Sequence, residues 1–263
     1  MPYRIDIVHA QADVLDQLID VGALDVAAND DQISALMPDA VDVDRVKAVL
    51  GRDDVFASPA RGRDGDSVWI LQPRPVRVGR LQFFPAGWPS STGGIRMVDD
   101  EAFGTGLHPT TALCLEAMDE HLALSKPATV LDVGTGSGVL ALAALFAGVP
   151  EATAIDIDAD ALRVAGGNAR ANGLESRLRL AHGGPGVVTG MWPLVVANIL
   201  AAPLIEMAPA LAQRVGHGGR LILSGIHASL VGDVERAYRR PGMRPVGVRT
   251  RDGWSALTFD ASW

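Results

Sequence analysis

One stretch constrains this chain more than any other. The run Val130-Leu131-Asp132-Val133 breaks into Gly134-Thr135-Gly136-Ser137-Gly138 and resumes as Val139-Leu140-Ala141-Leu142-Ala143-Ala144. An apolar β-branched run, a glycine turn and an alanine–leucine run predict strand, turn and helix in that order. Glycine admits positive φ and lets a ligand approach the backbone closely. The helix beyond presents unpaired N–H groups at its start. An ordinary strand-to-helix connection would explain a lone glycine turn; the runs on both sides and the spacing raise it above that.

After about residue 97, strand-like and helix-like stretches alternate, which predicts a parallel α/β sheet. Strands are read at 129–133, 152–157, 194–197 and 220–224, and helices at 110–121, 139–147, 159–172 and 203–214. Asp156, eighteen residues after Gly138, stands at the end of the second strand. A carboxylate there can accept both hydroxyls of a ribose. The turn spacing is GxGxG, not the GxGxxG of dinucleotide sites. A ligand with a ribose and no pyrophosphate fits it, which points to S-adenosylmethionine and away from NAD. Asp158 is read as the N-terminal charge of the next helix.

Charge divides the chain in another place. Residues 1–58 hold four basic side chains (Arg4, Arg45, Lys47, Arg52) against twelve aspartates, and so carry the whole formal net charge of −8. A solvated acidic surface is one account, and an acidic face for a basic partner is the other. Within this segment the apolar spacing predicts a strand at 3–9, a helix at 13–21, strands at 23–27 and 32–37, a helix at 42–50 and a strand at 54–58. That β-α-β-β-α-β order is a small α+β ferredoxin-like domain. Residues 59–96, with Pro59, Pro73, Pro75, Pro85 and Pro89, read as a linker with strand-like segments at 68–71 and 76–84. The chain is thus read as 1–58, 59–96 and 97–263.

No apolar run reaches the roughly 18 residues of a membrane span. The start, Met1-Pro2-Tyr3-Arg4-Ile5-Asp6, lacks the apolar stretch of a secretory signal. The single cysteine, Cys114, excludes an internal disulfide and a cysteine zinc site. His182, His217 and His227 show no metal spacing, so no metal is expected. Neither half has the basic excess of a direct nucleic-acid binder. A cytoplasmic protein is expected.

Three segments taken together resemble one family. They are Ala102-Phe103-Gly104-Thr105-Gly106-Leu107-His108-Pro109-Thr110-Thr111, the turn Asp132-Val133-Gly134-Thr135-Gly136-Ser137-Gly138, and Val196-Ala197-Asn198-Ile199-Leu200-Ala201-Ala202-Pro203-Leu204. From about residue 97 to 263 the chain resembles the PrmA-type methyltransferases, which act on large-subunit ribosomal protein eleven. The resemblance implies a class I (Rossmann-like) methyltransferase domain with S-adenosylmethionine as donor. It implies lysine or N-terminal amines as acceptors, and a small N-terminal domain that recognises a basic protein substrate, a large-subunit ribosomal protein. Carried over by motif, the cofactor contacts are Thr111, Gly134, Asp156 and Asn198, with Gly136 and Gly138 completing the turn. Thr105 and His108 lie in the loop expected over the methionine end and the acceptor. The chain departs from the family pattern at Pro193, where an aspartate is usual, and at Thr135, where cysteine is common. Gly183-Gly184-Pro185-Gly186 offers no carboxylate to the adenine amino group.

Methyl transfer to nitrogen requires a neutral amine held in line with the methyl carbon. A free lysine has a pKa of about 10.4, and desolvation lowers it. Asn198, at the end of the fourth strand, could accept a hydrogen bond from the amine or contact the amino-acid part of the cofactor; both roles stay open. His108 is a candidate general base, although a lone loop histidine is more often an ordering hydrogen bonder. The alternative acceptor is another protein lysine or a small amine. Base methylation would call for an aromatic side chain after the asparagine, and Asn198 is followed by Ile199-Leu200-Ala201.

Overall fold

The computed structural model describes residues 3–8, 13–29, 32–62, 69–71, 76–85, 93–98 and 108–263. The chain forms two compact units, Met1–Gln72 and Pro73–Trp263. Among the described residues no helix is long and apolar enough to cross a membrane.

The first unit runs β1 (Tyr3–Val8), α1 (Asp13–Asp20), β2 (Asp25–Asn29), β3 (Gln32–Met37), α2 (Val43–Leu50), β4 (Val55–Gly62) and β5 (Trp69–Leu71). Its sheet has the order β2-β3-β1-β4-β5, antiparallel at every pairing. The first four strands have the split βαβ order read from the sequence. Ile5 and Ile7 of β1 join Val14 and Leu18 of α1, Ile33 of β3 and Val46 of α2 in one core. Because side chains alternate along a strand, Arg4 and Asp6 face the other way, and both are buried. Asp6 Oδ1 accepts hydrogen bonds from Arg4 Nε (2.8 Å), Ser34 Oγ (2.6 Å) and Gln32 Nε2 (3.3 Å). α2 begins where the Asp42 side chain accepts from Asp44 N and ends at Gly51, whose φ of 61° closes the helix.

Residues 59–96, expected as a linker, are divided between the units. β4 continues to Gly62, and β5 pairs with it from Ala60 to Gly62. The first unit therefore closes after Gln72, not at residue 58. Pro59 misleads the sequence reading: it lies inside β4, at the end of the pairing with β1 (Tyr3↔Pro59), where a missing N–H is tolerated. β6 (Val76–Val78), β7 (Leu81–Phe84) and β8 (Ile95–Arg96) form a three-stranded sheet in the second unit.

The second unit continues with α3 (Pro109–Leu124), β9 (Thr129–Val133), α4 (Val139–Phe146), β10 (Glu151–Asp156), α5 (Ala159–Ala171), β11 (Leu178–His182) and β12 (Trp192–Asn198). Then come α6 (Ala201–Glu206), α7 (Ala208–Ala212), β13 (Val215–His227), α8 (Val231–Arg239), β14 (Met243–Arg251) and β15 (Trp254–Ala261). The sheet order is β11-β10-β9-β12-β13-β15-β14. It is parallel from β11 to β13 and antiparallel where β15 joins β13 and β14. Both faces are covered. Val130, Leu194, Val196 and Ile222 enter one core with residues of α3 and α4. Leu131, Val133, Val195, Ala197, Leu221 and Leu223 enter a second core with residues of α6, α7 and α8. Burial on both faces is why these strands read as unbroken apolar runs. Cys114, in α3, is fully buried in the first of these cores, and burial raises its thiol pKa.

The helix expected over 203–214 is two short helices. Pro209 has no N–H to give the carbonyl of Ile205, so the ladder breaks at Met207. The chain leaves β9 towards β10 and β11 and then returns to the other side of β9 as β12. Such a reversal opens a crevice at the carboxyl ends of the strands, where ligands bind in open α/β sheets.

Candidate active site

The glycine turn sits at that carboxyl edge. Backbone N–H groups of Gly134 and Thr135 both donate to Ile155 O, at 2.9 and 3.1 Å, which ties the turn to β10. Gly134 has φ 70° and Gly136 φ 53°, values that favour glycine. The two positions differ in their surroundings. A Cβ on Gly134 would stand 2.5 Å from Ile199 Cγ2, whereas one on Gly136 would meet nothing within 4 Å among the described residues. Gly138 starts α4, and a Cβ there would press on Ala165 at 3.0 Å. The turn is packed at its two ends and open in the middle.

Asp156 borders the opening. Its Oδ2 accepts from Gly136 N at 2.9 Å, and its Oδ1 accepts from Asp158 N at 3.0 Å. A carboxylate has about four lone-pair sites, so acceptor capacity remains, and the residue is only partly buried. Asp158 serves the following helix instead. Its carboxylate caps α5 by accepting from Asp160 N at 2.9 Å.

Beneath the turn, Asp132 of β9 is fully buried. Its Oδ2 accepts from Thr135 Oγ1 (2.6 Å) and Ala141 N (3.1 Å), while Oδ1 has no hydrogen-bond partner among the described residues. Burial pushes this carboxyl from 3.8 up to about 6, against the opposing pull of those two hydrogen bonds.

On the far side of β9, β12 ends at Asn198. The Asn198 Nδ2 donates to Thr111 Oγ1 at 3.0 Å, joining two of the sequence-predicted residues. Ser224 of β13 links the same two segments a second time. Its Oγ donates to Thr110 O at 2.7 Å, and its carbonyl accepts from Ile199 N at 3.1 Å. His108 begins α3 as its cap: Nδ1 accepts from Thr110 N at 3.3 Å and lies 2.8 Å from Thr110 Oγ1. The His108 ring meets Trp254 edge to face, with centroids 5.4 Å apart, and His227 meets the same indole at 6.0 Å. Thr105 lies outside the described residues.

Two polar residues that the sequence reading passes over support this site. Asn168 of α5 is fully buried; its Oδ1 accepts from Val98 N at 2.7 Å and its Nδ2 donates to Ser137 O at 2.8 Å. One turn later, Asn172 accepts from Arg96 N and donates to Arg96 O, both at 2.7 Å. Met97, between them, donates its N–H to Phe84 O of β7 at 2.8 Å. The segment 95–98 thus has β7 on one side and a pair of asparagine side chains on the other. Asn168 also reaches the glycine turn. An amide on the buried face of an otherwise small-residue helix (Ala165-Gly166-Gly167-Asn168-Ala169) is the signal that could have found it.

A hollow of about 430 Å³ lies elsewhere, lined by Met191, Pro209, Gln213, Val215 and Trp263 among others. Trp192 and Val215 begin their strands, so this hollow marks the amino edge of the sheet. Among the described residues its lining includes no charged side chain, and it holds none of the features just described.

An open glycine turn, a carboxylate closing the next strand and an asparagine closing the fourth, on a seven-stranded sheet with its antiparallel strand next to β13, define a class I methyltransferase. The family model described as ribosomal protein L11 methyltransferase (PrmA) matches residues 60–262. The ribosomal protein L11 methyltransferase of Symbiobacterium thermophilum is 38% identical, with 86% of this chain and 79% of that protein covered. Its counterpart from Methylococcus capsulatus is also 38% identical, with 93% of each covered. The crystal structure of a ribosomal protein L11 methylase from Lactobacillus delbrueckii subsp. bulgaricus superposes with a TM-score of 0.65 at 28% identity, covering 72% of this chain and 100% of that one. The chain belongs to the ribosomal protein L11 methyltransferase family.

Proposed function

We propose that the chain transfers methyl groups from S-adenosylmethionine to amine nitrogens of ribosomal protein L11. The observation that carries this reading is the Asn198–Thr111 pair at the same sheet edge as the glycine turn and Asp156, with Ile199 packed on Gly134. The residues present fit the donor. Asp156 keeps acceptor capacity for ribose hydroxyls, the space over Gly136 admits a close ligand, and Thr111 and Asn198 are the residues we assign to the amino-acid end. When bound, S-adenosylmethionine supplies a methyl carbon made electrophilic by positively charged sulfur.

The chain's own groups must then present a neutral nitrogen. A lysine with a pKa of about 10.4 gives up its proton to water as the site desolvates it. Asn198 commits Nδ2 to Thr111, so Oδ1 is left to accept a hydrogen from the amine and aim its lone pair. His108 serves as the α3 cap and orders the entry to this edge. The first unit docks the acceptor, a basic ribosomal protein, through the acidic surplus of residues 1–58.

The experiment is transfer from a methyl-labelled donor to purified L11. Label is expected on L11. A chain beginning at Pro73 should still bind S-adenosylhomocysteine but lose transfer to L11. An unlabelled L11 beside intact S-adenosylhomocysteine binding overturns the acceptor, and full transfer by the shortened chain overturns the docking role.

A further inference from the structure

We infer that Ser224 is a positioning residue for methyl transfer, holding the Asn198 side chain through a closed ring of contacts. The inference rests on the role given to Asn198 above. Starting at Asn198, the ring passes by Nδ2 to Thr111 Oγ1 (3.0 Å), along the chain to Thr110, from Thr110 O to Ser224 Oγ (2.7 Å), from Ser224 O to Ile199 N (3.1 Å), and along the chain back to Asn198. Three elements meet in it: the start of α3, the end of β12 and the carboxyl end of β13.

Ser224 is fully buried and lies opposite Asn198 in the β12–β13 register. Its hydroxyl is spent on Thr110 O and is closed off from solvent, so it acts through its neighbours. The next residue packs closely on the peptide that follows Asn198. Gly225 has φ 84°, and a Cβ there would fall 2.7 Å from Ile199 C and 3.0 Å from Ile199 N. The β13–β15 register shifts between Leu223 and Ile226. Such irregularities beside active sites re-aim a side chain or a carbonyl. On its other edge β13 keeps regular register with β12 from Leu194 to Asn198, so Ser224 O meets the peptide that follows Asn198 while the Ser224 hydroxyl reaches α3. The amide of Asn198 is thereby fixed with its nitrogen towards Thr111 and its oxygen left for the acceptor.

Ser224→Ala removes one hydroxyl and leaves Thr110 O its ordinary helical partner, so the fold should survive. Turnover on L11 is expected to fall about tenfold, since small misplacements of a reacting group are costly. Affinity for S-adenosylhomocysteine, measured by calorimetry, should stay within about twofold. Ser224→Cys, a near-isostere with a weak donor, should fall between wild type and Ser224→Ala. Two readouts separate positioning from bulk structure. In a nitrogen-15 spectrum, the Asn198 side-chain amide pair, identified by its loss in Asn198→Ala, should shift in Ser224→Ala. In the double variant Asn198→Ala/Ser224→Ala, the second change should add nothing to the first. A folded Ser224→Ala with wild-type turnover and an unmoved Asn198 amide overturns the inference, as do losses that multiply in the double variant. Should wild type fail on L11, the functional reading fails, and the amide spectrum still decides the ring.

Discussion

Asp6 and Asp132 are carboxylates buried in interior strands, one in each unit, and the protein treats them in opposite ways. Asp6 accepts from Arg4, Ser34 and Gln32, the first through a buried guanidinium. Asp132 has two donors on one oxygen and, among the described residues, none on the other. The first is a satisfied structural pair. The second is a carboxyl that the fold half supports, directly under the glycine turn. Asp156 and Asp158 extend the series outward: one is fixed by backbone N–H groups with lone pairs to spare, the other is spent on a helix cap. What a carboxylate does here is set by its partners and its depth, not by its residue type.

Breaking the satisfied pair should have the largest effect. Asp6→Ala strands the buried Arg4 cation, and such losses typically cost about 3–5 kcal/mol. Urea unfolding of the first unit measures it, and a cost below about 1 kcal/mol would mean the pair is better hydrated than its burial indicates. Next comes the pH signature of Asp132. Its folded carboxyl titrates at about 6, above the ordinary 3.8. Between those values the folded state holds the proton that the unfolded state has lost, so stability falls as pH rises from about 4 to 6 and stays lower above that. Two pH units correspond to about 3 kcal/mol. Asp132→Asn cannot titrate, so the difference in its unfolding free energy between about pH 4 and 7 should lack this component. Identical pH profiles for the two proteins would place the Asp132 carboxyl at its ordinary value.

Asp156→Ala tests the proposed ribose contact. Charge-assisted bonds of about 1.5–3 kcal/mol translate to a loss in S-adenosylhomocysteine affinity of roughly tenfold or more. Unchanged affinity in the folded variant would remove Asp156 from the ribose. Asp158→Ala should have the smallest effect, about 1 kcal/mol of helix stability from the lost cap. Its affinity for S-adenosylhomocysteine should be unaltered; a loss as large as that of Asp156→Ala would make Asp158 a second ribose ligand.

The parts of this molecule that can be read in its sequence are those whose signal is local. The glycine turn lies between two apolar runs, and Asp156 follows at a fixed spacing, so both are legible at once. Strands β14 and β15, which the sequence reading does not find, are different. Met243–Arg251 carries Arg244, Arg249 and Arg251 with Pro245 and Gly247, an exposed edge strand without clean alternation. Its arginines are explained only by partners on other elements, as where Arg251 and Arg249 pair with Glu116 and Glu120 of α3. The site divides in the same way. Motifs name Thr111 and Asn198, but that they touch is a fact about positions 87 residues apart. Ser224 reaches Thr110 across 114 residues and Asn168 reaches Val98 across 70. A buried serine or asparagine shows its purpose only when its partner is in view.

The asparagine edge on α5 bears on how the protein ages. Asn172 is followed by Gly173, the dipeptide in which a backbone nitrogen most readily attacks the side-chain amide, releasing ammonia and leaving aspartate or isoaspartate. In the fold both reactants are engaged. The Asn172 amide makes three hydrogen bonds of 2.7 Å, to Arg96 N, Arg96 O and Asn168 O, and Gly173 N donates to Arg170 O at 3.0 Å. Cyclisation should therefore wait for this strand to detach, so that isoaspartate found by peptide mapping at Asn172 counts opening events rather than hours in solution. Once formed, a carboxylate would face two carbonyl oxygens where an amide had donated to both, and the 95–98 segment would not re-dock.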